Sequence, residues 1–259
     1  MTGDPMATGL RVHVVHYSLF HERRQHMEDQ IQRHELDRWF PVNWILEHDR
    51  ETLTSAMTGA AASGSLSMNS VIFKHLVAFR TAAESPGSHH LVLEDDVTLV
   101  DGFLDKLAIC LDELPADWDM LFVGSGQGMP VPWWRRRTGR HIYFRGWRPT
   151  WWGGGGASRC AEAYLIAPRF ARRFLDCPGA QPPYKRPIDW LMNEVGHELC
   201  TRSWWCEPAL AFQGAFDSWT KNPALQDVAV SKAGASRLRD VLHRCRRSVV
   251  AGFKSSALR

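Results

Sequence analysis

The chain has 259 residues, 44% hydrophobic and 23% charged, a globular profile that excludes a disordered chain and a fibre. Its net charge of +3 conceals a split: from Lys232 to Arg259 there are eight basic residues against one acid, while the remainder holds 23 basic against 27 acidic. A mildly acidic body with a basic tail excludes a nucleic-acid-binding domain, which would carry basic stripes throughout. No run approaches the ~20 apolar residues of a membrane span. Residues 1–9 lack the basic and apolar stretches of a secretory signal, so the expected location is cytoplasmic. The six cysteines are scattered without a CxxC pair, so neither a zinc cage nor a disulfide framework is expected.

In chain order, Leu10 to His16 reads as a first strand, Glu22 to Leu36 as a helix with Met27 and Ile31 inward, and Val42 to Leu46 as a second strand after Pro41. An Ala/Gly/Ser loop precedes the strongest helix, about Ser67 to Glu84, where Met68, Val71, Ile72, His75 and Phe79 share one face and Pro86 ends it. A strand at His90 to Leu93 runs into Glu94-Asp95-Asp96, followed by a helix over Asp101 to Leu111 and a strand at Met120 to Val123. From Gly124 to Arg159 the pattern dissolves into Gly, Pro, Trp and Arg, a loop with a hinge expected at Gly153 to Gly156. Ala161 to Ala167 reads as a strand, Pro168 to Asp176 as a helix, Trp190 to Val195 as a short helix, and Leu199 to Cys206 and Ala209 to Gln213 as closing strands. Alternating strands and helices predict an α/β layer fold with a parallel or mixed sheet.

The sharpest chemical signal is the acidic triplet closing an apolar strand. It sits at the carboxyl edge of the sheet, where open α/β folds bind ligands. Three like charges need an offset, and a divalent cation supplies one; carboxylate oxygens suit Mg2+ or Mn2+. Strand alternation puts Glu94 and Asp96 on one side and Asp95 on the other. The bland alternative is an exposed acidic turn.

The order of segments resembles glycosyltransferase family 25, the lipopolysaccharide-type and collagen-type sugar transferases. It comprises Arg23-Arg24 after the first strand, Lys74-His75-Leu76 in the long helix, LVLEDDV at 91–97, AEAYLIAPRFARRFL at 161–175, Pro187-Ile188-Asp189 and Glu207-Pro208. The resemblance spans about Leu10 to Ser218. It implies a single GT-A-type nucleotide-sugar-binding domain, 10–230, with a mostly parallel mixed sheet flanked by helices, a flexible leader at 1–9 and a tail at 231–259. It also implies an inverting transfer of a sugar from a nucleotide donor, typically a UDP-sugar, to a glycan or lipid-linked acceptor, with no nucleic-acid partner. Asp96, with Glu94, would hold Mn2+ or Mg2+, and His16, Lys74, His75, Glu94 and Asp95 would line the donor side. The chain departs from the family pattern at Lys74-His75 and at Cys160 to Tyr164. That departure keeps open a catalytically inactive sugar-recognition protein; a metal-dependent phosphohydrolase is a third reading.

Single residues carry two readings each. His75 points inward, as a hydrogen-bonded core residue or as part of the site. Asp189 is either the N-cap of the following helix or the base that deprotonates the acceptor, with Glu162 as rival base. Arg135-Arg136-Arg137 after Trp133-Trp134 is a solvated loop tip or an acceptor contact. In the tail, about Ser236 to Val250 forms a basic amphipathic pattern, which either packs on the domain or docks peripherally on an anionic membrane.

Overall fold

The structure is a computed structural model describing residues 9–58, 65–85, 89–150, 156 and 158–214. These lie within the first of two compact units, Met1–Phe216. The Gly153 to Gly155 part of the expected hinge, the tail and its helix lie outside the described residues.

The chain begins with strand β1 (Leu10–Val15), helix α1 (His21–Arg33), the short α2 (Leu36–Trp39) and β2 (Val42–Ile45). After the one-turn α3 (Ser55–Thr58) comes α4 (Leu66–Glu84), then β3 (His89–Glu94), β4 (Val97–Leu99), α5 (Phe103–Asp112) and β5 (Met120–Phe122). The second half holds β6 (Ile142–Phe144), β7 (Ala163–Ile166), α6 (Pro168–Asp176), α7 (Ile188–Glu198), β8 (Ser203–Cys206) and β9 (Ala211–Gln213). Local chemistry sets several of these boundaries. Ser65 Oγ accepts the Met68 N–H at 3.1 Å and opens α4, while Pro168 at the first turn opens α6 with its φ already helical.

Seven strands form one mixed sheet in the order β2-β1-β3-β7-β5-β8-β6, and β4 pairs with β9 in a second, two-stranded sheet. β1 runs parallel to β2 and β3, and β5 parallel to β8. The expected mixed α/β layer forms, and its antiparallel part has two sources. β7 inserts between β3 and β5 against both, and β6 turns back along β8. Three strands buried throughout, β5, β7 and β8, and the buried middle of β3 explain why these strands do not alternate between apolar and polar residues.

Three expectations are corrected. The stretch Gly124 to Arg159 is not all loop: Ile142-Tyr143-Phe144 pairs with β8, a partner some sixty residues away that local pattern cannot reveal. Val71 is exposed, because α4 buries Ile72, His75, Leu76, Phe79, Ala82 and Ala83, a stripe that leaves Val71 at its margin. Helix α7 begins at Ile188 with Pro187 in the cap position, so Asp189 lies inside the first turn rather than at the cap. Among the described residues no helix is long and apolar enough to cross a membrane.

Candidate active site

The carboxyl ends of β1, β2, β3 and β5 share one edge, and the acidic triplet ends β3 there. Its members divide across the turn that joins β3 to β4, Asp95 to one side and Glu94 and Asp96 to the other. Asp95 turns toward the β1 side: its Oδ2 accepts from His16 Nδ1 at 2.7 Å and from the Tyr17 N–H at 3.3 Å, and its Oδ1 from Arg23 at 2.8 Å. Both of its oxygens are thereby engaged in clasping the β1–α1 turn to β3. Glu94 and Asp96 turn the other way and meet at Gln213 of β9, whose amide donates to Glu94 Oε2 at 3.1 Å and to Asp96 Oδ1 at 3.4 Å. Arg23 also reaches Asp96 at 3.4 Å.

Two more carboxylates join them. The Glu94 N–H bonds the Glu162 carbonyl at 2.9 Å, extending the β3–β7 ladder and setting two glutamates side by side, an arrangement that like charges oppose. Glu162 is buried; its Oε1 accepts the Gly126 N–H at 2.5 Å while Oε2 has no partner among the described residues. Asp189, half-buried on α7, is near enough for its charge to raise Glu94. Burial, before neighbouring charge, pushes Glu94 up to about 7, Asp96 up to about 7 and Glu162 up to about 7. Burial also raises Asp189, against hydrogen bonds from its own and the Trp190 N–H.

His75 sits behind this row. Its Nε2 lies 3.3 Å from Glu94 Oε1 and its Nδ1 2.9 Å from the Tyr164 hydroxyl. Full burial lowers it to about 3, against the pull of Asp189, so the ring is neutral. A neutral ring donates from Nε2 to Glu94 and accepts the Tyr164 O–H at Nδ1, which orients the Glu94 carboxyl. Lys74 is occupied elsewhere. It is 2% exposed, with its ammonium 2.8 Å from the Glu47 carbonyl and 2.8 Å from Asp49 Oδ1, holding the segment after β2. His16 packs edge-on against Trp44 as well as on Asp95.

Of the sequence candidates, the structure thus gathers Glu94, Asp96, Glu162, Asp189 and His75 into one row and uses Asp95, His16 and Lys74 to hold its surroundings. The sequence does not single out Gln213, Tyr164 and Arg23 as site residues. Arg23 and Tyr164 lie in segments that carried the family resemblance; Gln213 has no local signal, since its partners are 117 and 119 residues away.

Among the described residues no three His, Cys, Asp or Glu side chains gather as a metal cage. The Glu94–Asp96 pair nevertheless fits a phosphate-borne cation. Mg2+ held with substrate phosphates takes only one or two protein carboxylates, and here two hard donors converge with surplus negative charge around them.

No family model matches the chain, and no curated protein matches it in sequence. Among solved structures it is similar to the crystal structure of a glycosyltransferase involved in the glycosylation of the major capsid of PBCV-1. The likeness covers 79% of this chain and 92% of that one, with a TM-score of 0.45 and 11% identity. A likeness of that strength is no basis for assigning an activity, which has to come from the site's own residues.

Proposed function

We propose that the chain is an inverting glycosyltransferase of GT-A type that moves a sugar from a nucleoside-diphosphate donor, UDP-linked in the family it resembles, to an acceptor hydroxyl. The observation that carries this reading is the sharing of one sheet edge by the convergent pair Glu94–Asp96 and the partly exposed carboxylate Asp189. The first suits a diphosphate with its cation and the second suits a base. Glu94 and Asp96 would hold Mn2+ or Mg2+, which when bound neutralises charge developing on the departing diphosphate.

The chain's own groups do the rest. Gln213 and His75 fix the Glu94 carboxyl, and Arg23 steadies Asp96. Asp189 takes the proton of the acceptor hydroxyl as its oxygen bonds the anomeric carbon and the nucleotide diphosphate leaves from the opposite face. Burial raises Asp189, making it a better proton acceptor than an exposed aspartate. A glycan or lipid-linked acceptor is the class the family resemblance supports.

The test is UDP release from UDP-sugars with Mn2+, with and without candidate acceptors. Acceptor-stimulated release is expected. Nucleotide binding without stimulated release returns the chain to a recognition protein, and no nucleotide binding at all overturns both readings.

A further inference from the structure

The stretch between β5 and β6 ends in a knuckle with its own composition. Residues 133–140, Trp-Trp-Arg-Arg-Arg-Thr-Gly-Arg, are eight consecutive exposed positions bounded by buried Pro132 and by His141, with four arginines and no acid. Trp133 is 77% exposed and Trp134 53%, far more than soluble surfaces ordinarily grant an indole. The two rings meet edge to face with centroids 5.8 Å apart.

The knuckle is braced. Arg135 N–H donates to the Pro132 carbonyl at 2.9 Å, Arg136 N–H to Trp133 at 3.1 Å and Arg140 N–H to Arg137 at 3.1 Å. The Tyr143 hydroxyl receives the Arg137 N–H at 2.9 Å. Arg136 is used for anchorage, with Nε on the Val131 carbonyl at 2.7 Å and Nη2 on Glu207 Oε1 at 3.0 Å. Glu207 in turn holds buried Arg159 at 3.0 Å. A projecting tip held this firmly loses little entropy on docking.

Topology fixes where it points. β6 begins at Ile142, opposite Cys206 at the carboxyl end of β8, and β8 runs with β5 and therefore with β3. The knuckle accordingly rises from the same sheet edge as Glu94, Asp96 and Asp189.

We propose that this knuckle is a docking surface for an anionic lipid bilayer, seating Trp133 and Trp134 at the headgroup level with Arg135 and Arg137 beside them and turning the acidic edge toward the membrane. Amphipathic indoles settle at bilayer interfaces, and guanidinium groups are drawn to anionic leaflets. Small ligands occupy concave sites, whereas the knuckle is a run of eight consecutive exposed residues. The charge of the knuckle also opposes that of the acidic body, so within the described residues it offers a local basic site for a negative surface. The inference stands on the knuckle alone and holds whether or not the edge transfers a sugar.

The test uses the full chain in flotation with phosphatidylglycerol-containing and pure phosphatidylcholine vesicles, with Trp133→Ala/Trp134→Ala and Arg135→Gln/Arg137→Gln variants. All four positions are exposed, and melting temperatures measured beside binding let affinities be compared at equal folded fraction. Expected is salt-sensitive binding to the anionic vesicles only, weakened about thirtyfold by the arginine pair, at roughly fivefold per guanidinium, and about tenfold or more by the tryptophan pair. Brominated lipids should quench wild-type tryptophan emission and quench the Trp133→Ala/Trp134→Ala variant less. Wild-type partitioning in both variants, with binding lost only on truncation after Val230, overturns the proposal in favour of the tail. Absence of vesicle binding in the full chain overturns it outright. So does loss of affinity for an acidic oligosaccharide, read by ligand NMR, with vesicle binding unchanged in the variants, since the tip is then a saccharide platform.

Discussion

His13 and His90 lie on neighbouring strands inside the main sheet, both buried, with Nε2 of one 3.0 Å from Nδ1 of the other and their rings stacked at 5.3 Å. Among the described residues His13 Nδ1 and His90 Nε2 have no partner. Burial lowers His13 to about 3 and His90 to about 4, helped by Arg11 beside both. In the unfolded chain each titrates near 6.5. Below that pH the unfolded chain binds protons that the folded chain refuses, so stability falls as pH drops from about 6.5 toward 4. At pH 4.5, about two units below the unfolded value, each ring removes about 2.7 kcal/mol and the pair about 5 kcal/mol. That is a large share of the ~5–15 kcal/mol of a typical domain. The buried carboxylates Glu94, Asp96 and Glu162 act in the opposite sense, since raised acids favour the folded state as pH falls below about 7. The informative quantity is therefore a difference. The His13→Phe/His90→Phe variant keeps two stacked rings without titration and leaves the carboxylates untouched. Urea unfolding at pH 7.5 and pH 4.5 should show the variant gaining on wild type by about 3–5 kcal/mol at the lower pH. A gap that stays constant between the two would refute the view that these rings are held neutral in the core.

Asp96→Asn should abolish Mn2+-dependent nucleotide binding in calorimetry, because it replaces an anionic oxygen donor with an amide of the same shape; unchanged affinity removes Asp96 from the cation site. Asp189→Asn should lower turnover ~100-fold or more with nucleotide affinity nearly intact, and a variant that turns over normally returns Asp189 to a helix-start role. Lys74→Met should destabilise the fold by about 3 kcal/mol in urea, because it strands Asp49 and two backbone carbonyls at the end of β2. Wild-type stability in that variant would show the buried ammonium to be dispensable.

What was legible in the sequence is what local chemistry decides. The bounds of α6 and of β3 follow from Pro168 and from a buried apolar run, and the division of Glu94 and Asp96 from Asp95 is as expected, although a turn at 95–96 rather than the strand pleat produces it. What escaped depends on chain segments meeting. β7 arrives between β3 and β5 from seventy residues downstream and puts Glu162 beside Glu94. β4 was missed because Val97-Thr98-Leu99 is three residues long and is held by β9. Gln213 is an unremarkable glutamine until that pairing aims it at two carboxylates. Cys110 and Cys206, far apart in the chain and in no motif, place their sulfurs 3.1 Å apart between α5 and β8. For Asp189, the proline at 187 already has the φ that a helix start accepts, so the helix begins two residues earlier than a capping aspartate would require.

The two rival bases differ in what surrounds them rather than in their chemistry. Glu162 is sealed: it is 1% exposed, its Oε1 is fixed by the Gly126 N–H, and it presses on Gly124. A Cβ at Gly124 would lie 2.6 Å from Oε1, so only glycine leaves that carboxylate its place. A group so confined cannot meet an acceptor arriving from solvent, whereas it does bear on Glu94, whose N–H binds the Glu162 carbonyl and whose charge helps to raise it. Asp189 stands at the open side, in the first turn of α7, where the helix dipole favours its anion while partial burial keeps it basic. On the proposed reading, the edge would thus have an inner carboxylate that shapes the pair proposed to hold a cation and an outer one that would take the proton. This division of labour explains why buried like charges are tolerated here: each of the four acids has a different neighbour to restrain it, with Gly126 on Glu162, His75 and Gln213 on Glu94, Arg23 on Asp96, and the start of α7 on Asp189.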